Sequence, residues 1–349
     1  MDNEIIPHSR PSLSGQDVEA VISVIKSGQL SQGPKVTEFE KRVSEFIGKK
    51  RAVATSSGTA ALHLALLALD IQKGDEVIIP SFVCSAVLNA VNYTGATPSI
   101  ADIDPLTFNI SVNAVKRAIN SKTKAIIVPY MFGCPAEIDE FLELGIPVVE
   151  DCAQAIGADF KGRKVGSFGL MSVFSFYATK LLTSGEGGMV LSDSEDLISK
   201  IENLRDYDDR DDYTLRFNYK MMDIQASLGM SQLSSLEKFI SRRREIAERY
   251  FKEFKDRNFS LPIRKEEKEH IYYRFIVKAR EDASSYLEAL QARKVMCRRP
   301  VYIPLHVYLN LSGFPNTMEA WQKTISIPLY PSLTEKEIKK IVDVVKEIL

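Results

Sequence analysis

The chain has 349 residues, 45% of them hydrophobic, with 45 Lys and Arg against 46 Asp and Glu. That length supports a large core in two packed lobes, and the balanced charge, with no basic block or aromatic-interleaved basic stripe, argues against nucleic acid as the main partner. Cys84, Cys134, Cys152 and Cys297 are widely spaced and lack the clustering of zinc ligands, so they read as reduced, mostly buried thiols and no metal is expected.

The N-terminal "MDNEIIPHSRPSL" has neither the basic nor the apolar region of a signal peptide. No apolar run approaches the roughly 20 residues needed to span a bilayer, so a cytoplasmic protein without a membrane partner is expected. "GQDVEAVISVIKSG" and "KVTEFEKRVSEFIG" carry helical periodicity and end at Gly28 and Gly48. "AVATSSGTAALHLALLALDIQKGDEVIIPSF" then reads strand, small-residue turn, helix, turn, strand. Further apolar runs in "GATPSIADID", "KAIIVPY" and "GIPVVEDCA" alternate with helical pattern, which predicts a largely parallel sheet covered on both faces. "MSVFSFYAT" and "GGMVLS" suit strands with tight loops, and one long helix is predicted over "MDIQASLGMSQLSSLEKFISRRREIAERYFKEF". "YYRFIVKA", "ASSYLEALQAR" and "EKEIKKIVDVVKEIL" predict a strand and two helices of a smaller α+β lobe, giving domains 1–245 and 246–349.

Ligands of open parallel sheets bind beyond the carboxyl ends of the strands. "TSSGTAAL" follows one strand and opens a helix, where backbone N–H groups and the hydroxyls of Ser57 and Thr59 suit a phosphate. "VVEDCAQAIG" puts Glu150 and Asp151 at the end of another. Lys180, in "SFYATKLLTSGEGGMV", lies 29 residues beyond Asp151. A lysine, an acid and a phosphate cup are the set that pyridoxal phosphate (PLP) requires: an amine for its aldehyde, a carboxylate for its ring nitrogen, donors for its phosphate. Gly185, Gly187 and Gly188 would let the backbone pack close to such a cofactor.

Those motifs, with "SRPSLSGQDVEAV", "SGQLSQGPKVTEFE", "FNYKMMDIQASLGMSQL" and "YIPLH", resemble in order and spacing the DegT/DnrJ/EryC1/StrS sugar aminotransferases. The resemblance implies an α/β, aspartate aminotransferase-like (type I PLP) fold with a mainly parallel sheet. It implies that Lys180 bonds to the cofactor and moves the substrate proton, that Asp151 pairs with the ring nitrogen, and that Gln154 lies beside the ring. Ser57, Gly58, Thr59 and Ser175 would hold the phosphate, and Asn218 would reach the phosphate of a neighbouring subunit, so that a homodimer shares its sites. Tyr302, His306, Arg10 and Lys220 stand where relatives approach substrate, as does the "SQGPK" loop.

The expected reaction moves an amino group from L-glutamate (or glutamine) to a nucleotide-linked keto-deoxy sugar, for polysaccharide, glycan or antibiotic assembly. The rivals are a PLP-dependent sugar dehydratase, in whose relatives a histidine replaces the lysine, and a non-catalytic nucleotide-sugar-binding regulator. The sequence departs from the family where many relatives stack an aromatic on the cofactor ring: Cys84 stands there, so either Phe82 shifts inward or the thiol packs on the ring. Lys220 replaces an arginine and loses its bidentate fork, Leu181 replaces an asparagine, and "LRDYDDRDDYTLRF" reads as a solvated acidic loop. His63 and Trp321 read as packing residues, while His8 and His270 carry no specific signal.

Overall fold

The structure, a computed structural model, describes residues 5–349. It opens with α1 (Gly15–Ser27) and α2 (Pro34–Ile47), each stopped by a left-handed glycine, Gly28 at φ 76° and Gly48 at φ 85°. Strand and helix then alternate: β1 (Arg51–Thr55), α3 (Gly58–Ala68), β2 (Glu76–Pro80), α4 (Ser85–Tyr93), β3 (Thr97–Ala101), α5 (Val112–Ala118), β4 (Thr123–Pro129), α6 (Ile138–Leu142) and β5 (Val148–Asp151). Two short strands, β6 (Asp159–Phe160) and β7 (Arg163–Lys164), precede β8 (Met171–Ser175), β9 (Gly188–Ser192) and α7 (Glu195–Arg205).

Seven of these strands form one sheet in the order β1-β9-β8-β5-β4-β2-β3, parallel throughout except for the two pairings made by β9. Successive side chains point to opposite faces. Ala52, Ala54, Ile78, Ile126 and Val128 therefore enter one apolar cluster, and Val53, Val77, Ile79, Ala125 and Ile127 another. Phe39 and Val43 of α2 cover the first face, and Leu64 of α3, Val91 of α4 and Ile198 of α7 the second. With both faces covered, the open edge is the one where β1, β2, β5 and β8 end, and there Thr55, Ser175 and Gly188 lie side by side across β1, β8 and β9.

The rest comprises α8 (Asp223–Ser234), α9 (Leu236–Phe254), β10 (Lys268–Glu269), β11 (Phe275–Lys278), α10 (Ala283–Ala292), α11 (Leu305–Tyr308), α12 (Pro315–Lys323), β12 (Thr324–Ile327) and α13 (Glu335–Ile348). The single long helix expected over 222–254 is instead two, because Ser235 tightens the turn with an N–H bond to Gln232. α9 then runs from the sheet cluster, through Leu236 and Ile240, into a third cluster, through Ile246, Tyr250 and Phe254. That cluster is built on the antiparallel pair β11 and β12 and the apolar side of α13. We place the division between the lobes inside α9, yet Ile6 of the N-terminal segment packs with the second lobe, and Ile276 and Val301 pack with the sheet. The strand expected over "YYRFIVKA" starts only at Phe275, since Tyr272 takes a left-handed φ of 49°. Among the described residues no helix is long and apolar enough to cross a membrane.

Candidate active site

One corner of the open edge is built around Gly58. Ser57 is extended and its Oγ accepts the Ala60 N–H at 3.1 Å, while the first helical bond runs from Ala61 N–H to the Ser57 carbonyl at 3.0 Å. The amides of Gly58 and Thr59 therefore lie ahead of the α3 ladder, at its positive end. Ser175 closes the corner: a Cβ on Gly58 would stand 2.8 Å from Ser175 Cβ and 3.2 Å from its Oγ. Two free amides and a hydroxyl around a site with no room for a side chain fit a phosphate. The downstream glycines serve a different purpose from the one expected. A Cβ on Gly188 would meet the Ser57 carbonyl oxygen at 2.3 Å, and one on Gly187 would meet the Met221 and Ser184 side chains, so Gly188 gives room to the protein backbone and Gly187 to neighbouring side chains.

Asp151 ends β5, buried, with Oδ1 accepting the Ala153 N–H at 3.0 Å. Burial raises its carboxyl above the usual range, and the Ala153 N–H and the Lys180 charge partly offset that rise. Lys180 and Asp151 thus interact electrostatically across the crevice although they lie 29 residues apart in the chain. The neighbouring Glu150 faces elsewhere: its carboxylate accepts the N–H groups of Gly166, Phe168 and Gly169 and the Tyr130 hydroxyl, which makes it structural. Gln154 Oε1 accepts the Phe132 N–H at 2.9 Å, leaving its amide N–H groups as the donors still to be placed.

Several expected residues lie elsewhere. Phe82 is 0% exposed and packs against Phe108 and Phe132, so it offers no surface to a ligand, whereas Cys84 is exposed at the start of α4. His306 is buried, bonded to Ser81 Oγ at 2.6 Å and stacked on Phe314, which fastens it to the chain after β2 and takes it out of the crevice. Arg10 pairs with Glu337 at 3.5 Å and lies over the Tyr330 ring, on the smaller lobe. Lys220 pairs with Asp206 at 2.6 Å and with Asp208, so its charge is already met. The same pairs, with Arg216 on Asp212, take up carboxylates of the acidic loop. The "SQGPK" loop is tied to Asp223, which accepts the amides of Gly33, Lys35 and Val36. His63 is a core residue as expected, ringed by Tyr93, Phe217 and Tyr219. Asn218 is exposed between Phe217 and Tyr219, whose backbones bond to Leu204, Arg205 and Ser56.

Beside Lys180 opens a cavity of about 1070 Å³, reached by Tyr177, Thr179 and Tyr302 and carrying three arginines, Arg274, Arg298 and Arg299. None of its described lining residues is acidic. Arg299 is engaged by Asp282 and by backbone carbonyls, but Arg274 and Arg298 have no ion-pair partner among the described residues. Arg274 Nη1 lies 2.8 Å from His8 Nδ1, and burial with the two arginines pushes His8 down to about 2, so it is a neutral acceptor. Trp321 lines the same cavity and donates Nε1–H to the Tyr302 carbonyl at 2.9 Å. Tyr273 is buried under the Lys180 amine. Sequence reasoning missed His8, Tyr273, Arg274 and Arg298 because nothing in their local pattern separates them from ordinary strand and loop residues.

The phosphate corner, the buried carboxylate and the adjacent amine fit PLP. A model of the DegT/DnrJ/EryC1/StrS aminotransferase family matches residues 11–346. The chain is 35% identical to GDP-perosamine synthase of Escherichia coli O157:H7, over 98% of both chains. It is 34% identical to spore coat polysaccharide biosynthesis protein SpsC of Bacillus subtilis, over 99% of this chain and 98% of the other. Among solved structures, the PLP form of the putative sugar aminotransferase Spr1654 from Streptococcus pneumoniae superposes with a TM-score of 0.93 at 27% identity, over 99% and 100% of the two chains. The chain belongs to the DegT/DnrJ/EryC1/StrS aminotransferase family and is a PLP-dependent sugar aminotransferase.

Proposed function

We propose that the chain transfers an amino group from L-glutamate to a nucleotide-linked keto sugar, with Lys180 as the reacting amine. When bound, PLP supplies an aldehyde for amines and a ring that withdraws electrons from the carbon next to them. Gly58, Thr59, Ser57 and Ser175 would hold its phosphate, Asp151 would face its ring nitrogen, and Gln154 would donate beside it. Lys180 Nζ, freed when the donor amine enters, takes the proton from the donor α-carbon, and in the second half-reaction returns a proton to the sugar carbon. Cys84 is the exposed side chain at the position where relatives carry a ring-stacking aromatic.

The observation that carries the substrate class is the cavity beside Lys180. Arg274 and Arg298, without an ion-pair partner among the described residues, suit a diphosphate, and Tyr177, Tyr302 and Trp321 suit a base or sugar face. A relative named GDP-perosamine synthase supports the same reading. Asn218, exposed on a segment pinned beside Ser56, suits completion of the site by a second copy across a two-fold axis.

The test is to convert the purified PLP form with L-glutamate and then offer nucleotide-linked keto sugars one by one. Glutamate is expected to bleach the visible cofactor band, and one nucleotide keto sugar to restore it. Restoration by the free keto sugar as readily as by its nucleotide form would rule out the diphosphate reading.

A further inference from the structure

Tyr273 is a buried phenol surrounded by cations and donors. It is 6% exposed. Lys180 Nζ lies 5.4 Å from its ring centroid and the Arg274 guanidinium 4.9 Å. Arg274 Nη2 is 3.5 Å from the hydroxyl, and the Thr179 side chain beside it favours its ionised form. The Gly133 turn packs on the Tyr273 backbone and brings no charge. Among the described residues none of the groups acting on this phenol is acidic.

The arrangement is held from two sides. Arg243, buried on α9, donates Nη1–H to the carbonyls of Tyr272 and Tyr273 at 3.1 Å each and of Leu329 at 2.8 Å. Those bonds secure the left-handed turn at Tyr272 that aims the next side chain at Lys180. Arg274 is held in turn by neutral His8, whose Nε2 lies 2.8 Å from Ser326 Oγ. The cation over Tyr273 is therefore a fixed feature of the crevice.

We propose that Tyr273 is a positioning residue for Lys180, seating the protonated amine against its ring and hydroxyl in the interval when that amine is not bonded to the cofactor. A cation over a desolvated aromatic face is attracted to it, and a phenolate beside the same cation is attracted more strongly. The phenol's own acidity agrees. Burial by itself raises its pKa, but Lys180, Arg274, Thr179 and Arg243 outweigh that and lower the pKa from 10.0 to about 8. The free amine then has a seat in the crevice, where Asp151 faces it from the β5 side.

The inference rests on Lys180 being the reacting amine, and its test separates the two. In the full chain stripped of cofactor, the near-ultraviolet tyrosinate band of wild type minus that of Tyr273→Phe is expected to show one phenol titrating near pH 8. Lys180→Ala is expected to move that transition up towards the ordinary phenol value. A transition already at about pH 10, or one that Lys180→Ala leaves in place, overturns the proposal. In the holoenzyme, Tyr273→Phe is expected to slow the glutamate half-reaction by about 10-fold, with KM unchanged and the alkaline limb of its pH profile displaced. Loss of cofactor or thermal stability with an unmoved pH profile would mean a merely structural tyrosine. Failure of borohydride to fix the cofactor to Lys180 would refute the reading of the lysine, while the tyrosinate titration would still report the contact.

Discussion

Gly58 shows at the residue scale how a missing side chain creates a site. Its amide and that of Thr59 are free because they precede the first turn of α3, and Ser175 approaches so closely that even a methyl group would collide with it. Gly58→Ala is expected to leave the fold intact and to weaken PLP binding by about 10-fold, the equivalent of one lost hydrogen bond, measured by fluorescence titration of the cofactor. "TSSGTAAL" alone reads equally as an ordinary capped helix start, so the corner was legible only together with the lysine and the strand-end acid. The Ser175 contact was not legible, because it joins positions 117 residues apart. Phe82 and Cys84 teach the same lesson in reverse: both lie at the end of β2, yet burial against Phe108 and Phe132 withdraws one and leaves the other exposed.

Asp223 illustrates the element scale. It begins α8, but its carboxylate accepts three amides at the start of α2, at 2.9, 3.3 and 3.0 Å, and so caps a helix almost 190 residues earlier. α2 begins with Gly33 and Pro34 and has no capping side chain of its own. Asp223→Ala is expected to cost on the order of 2 kcal/mol, seen as a lower thermal midpoint with PLP still bound. Helix periodicity, glycine stops and the βαβ alternation were all readable in advance because they depend on neighbours a few positions away. The break at Ser235 was not, because the apolar pattern continues across it while α8 stays on the sheet cluster and α9 runs on from that cluster into the third.

At the scale of the whole molecule, the crevice lies where the open edge of the sheet meets the second lobe. β11 and its preceding turn deliver Tyr273 and Arg274, the N-terminal segment delivers His8, and the loop after β8 delivers Lys180. The proposed two-fold assembly would add Asn218 from a second copy. Mixed dimers of Lys180→Ala and Asn218→Ala, each inactive alone, are expected to recover up to about a quarter of wild-type activity, since random pairing leaves one intact site in half of the dimers. No recovery in dimers shown by mass to contain both chains would refute a shared site.

The sequence by itself determined the alternation that builds a doubly covered parallel sheet, the helix start at Gly58 after β1, and the approach of a strand-end acid and a loop lysine to one crevice. Each rests on local pattern or on the rule that strand ends converge. Only the tertiary structure decided which charges remain free. Arg10, Lys220 and His306 look like substrate contacts along the chain but are satisfied by Glu337, Asp206 and Ser81, whereas Arg274 and Arg298 meet no carboxylate among the described residues. Whether a buried or half-buried charge is spent on the fold or left for a ligand depends on partners up to 327 residues away, and electrostatic partnership at that separation leaves no periodic trace in the chain.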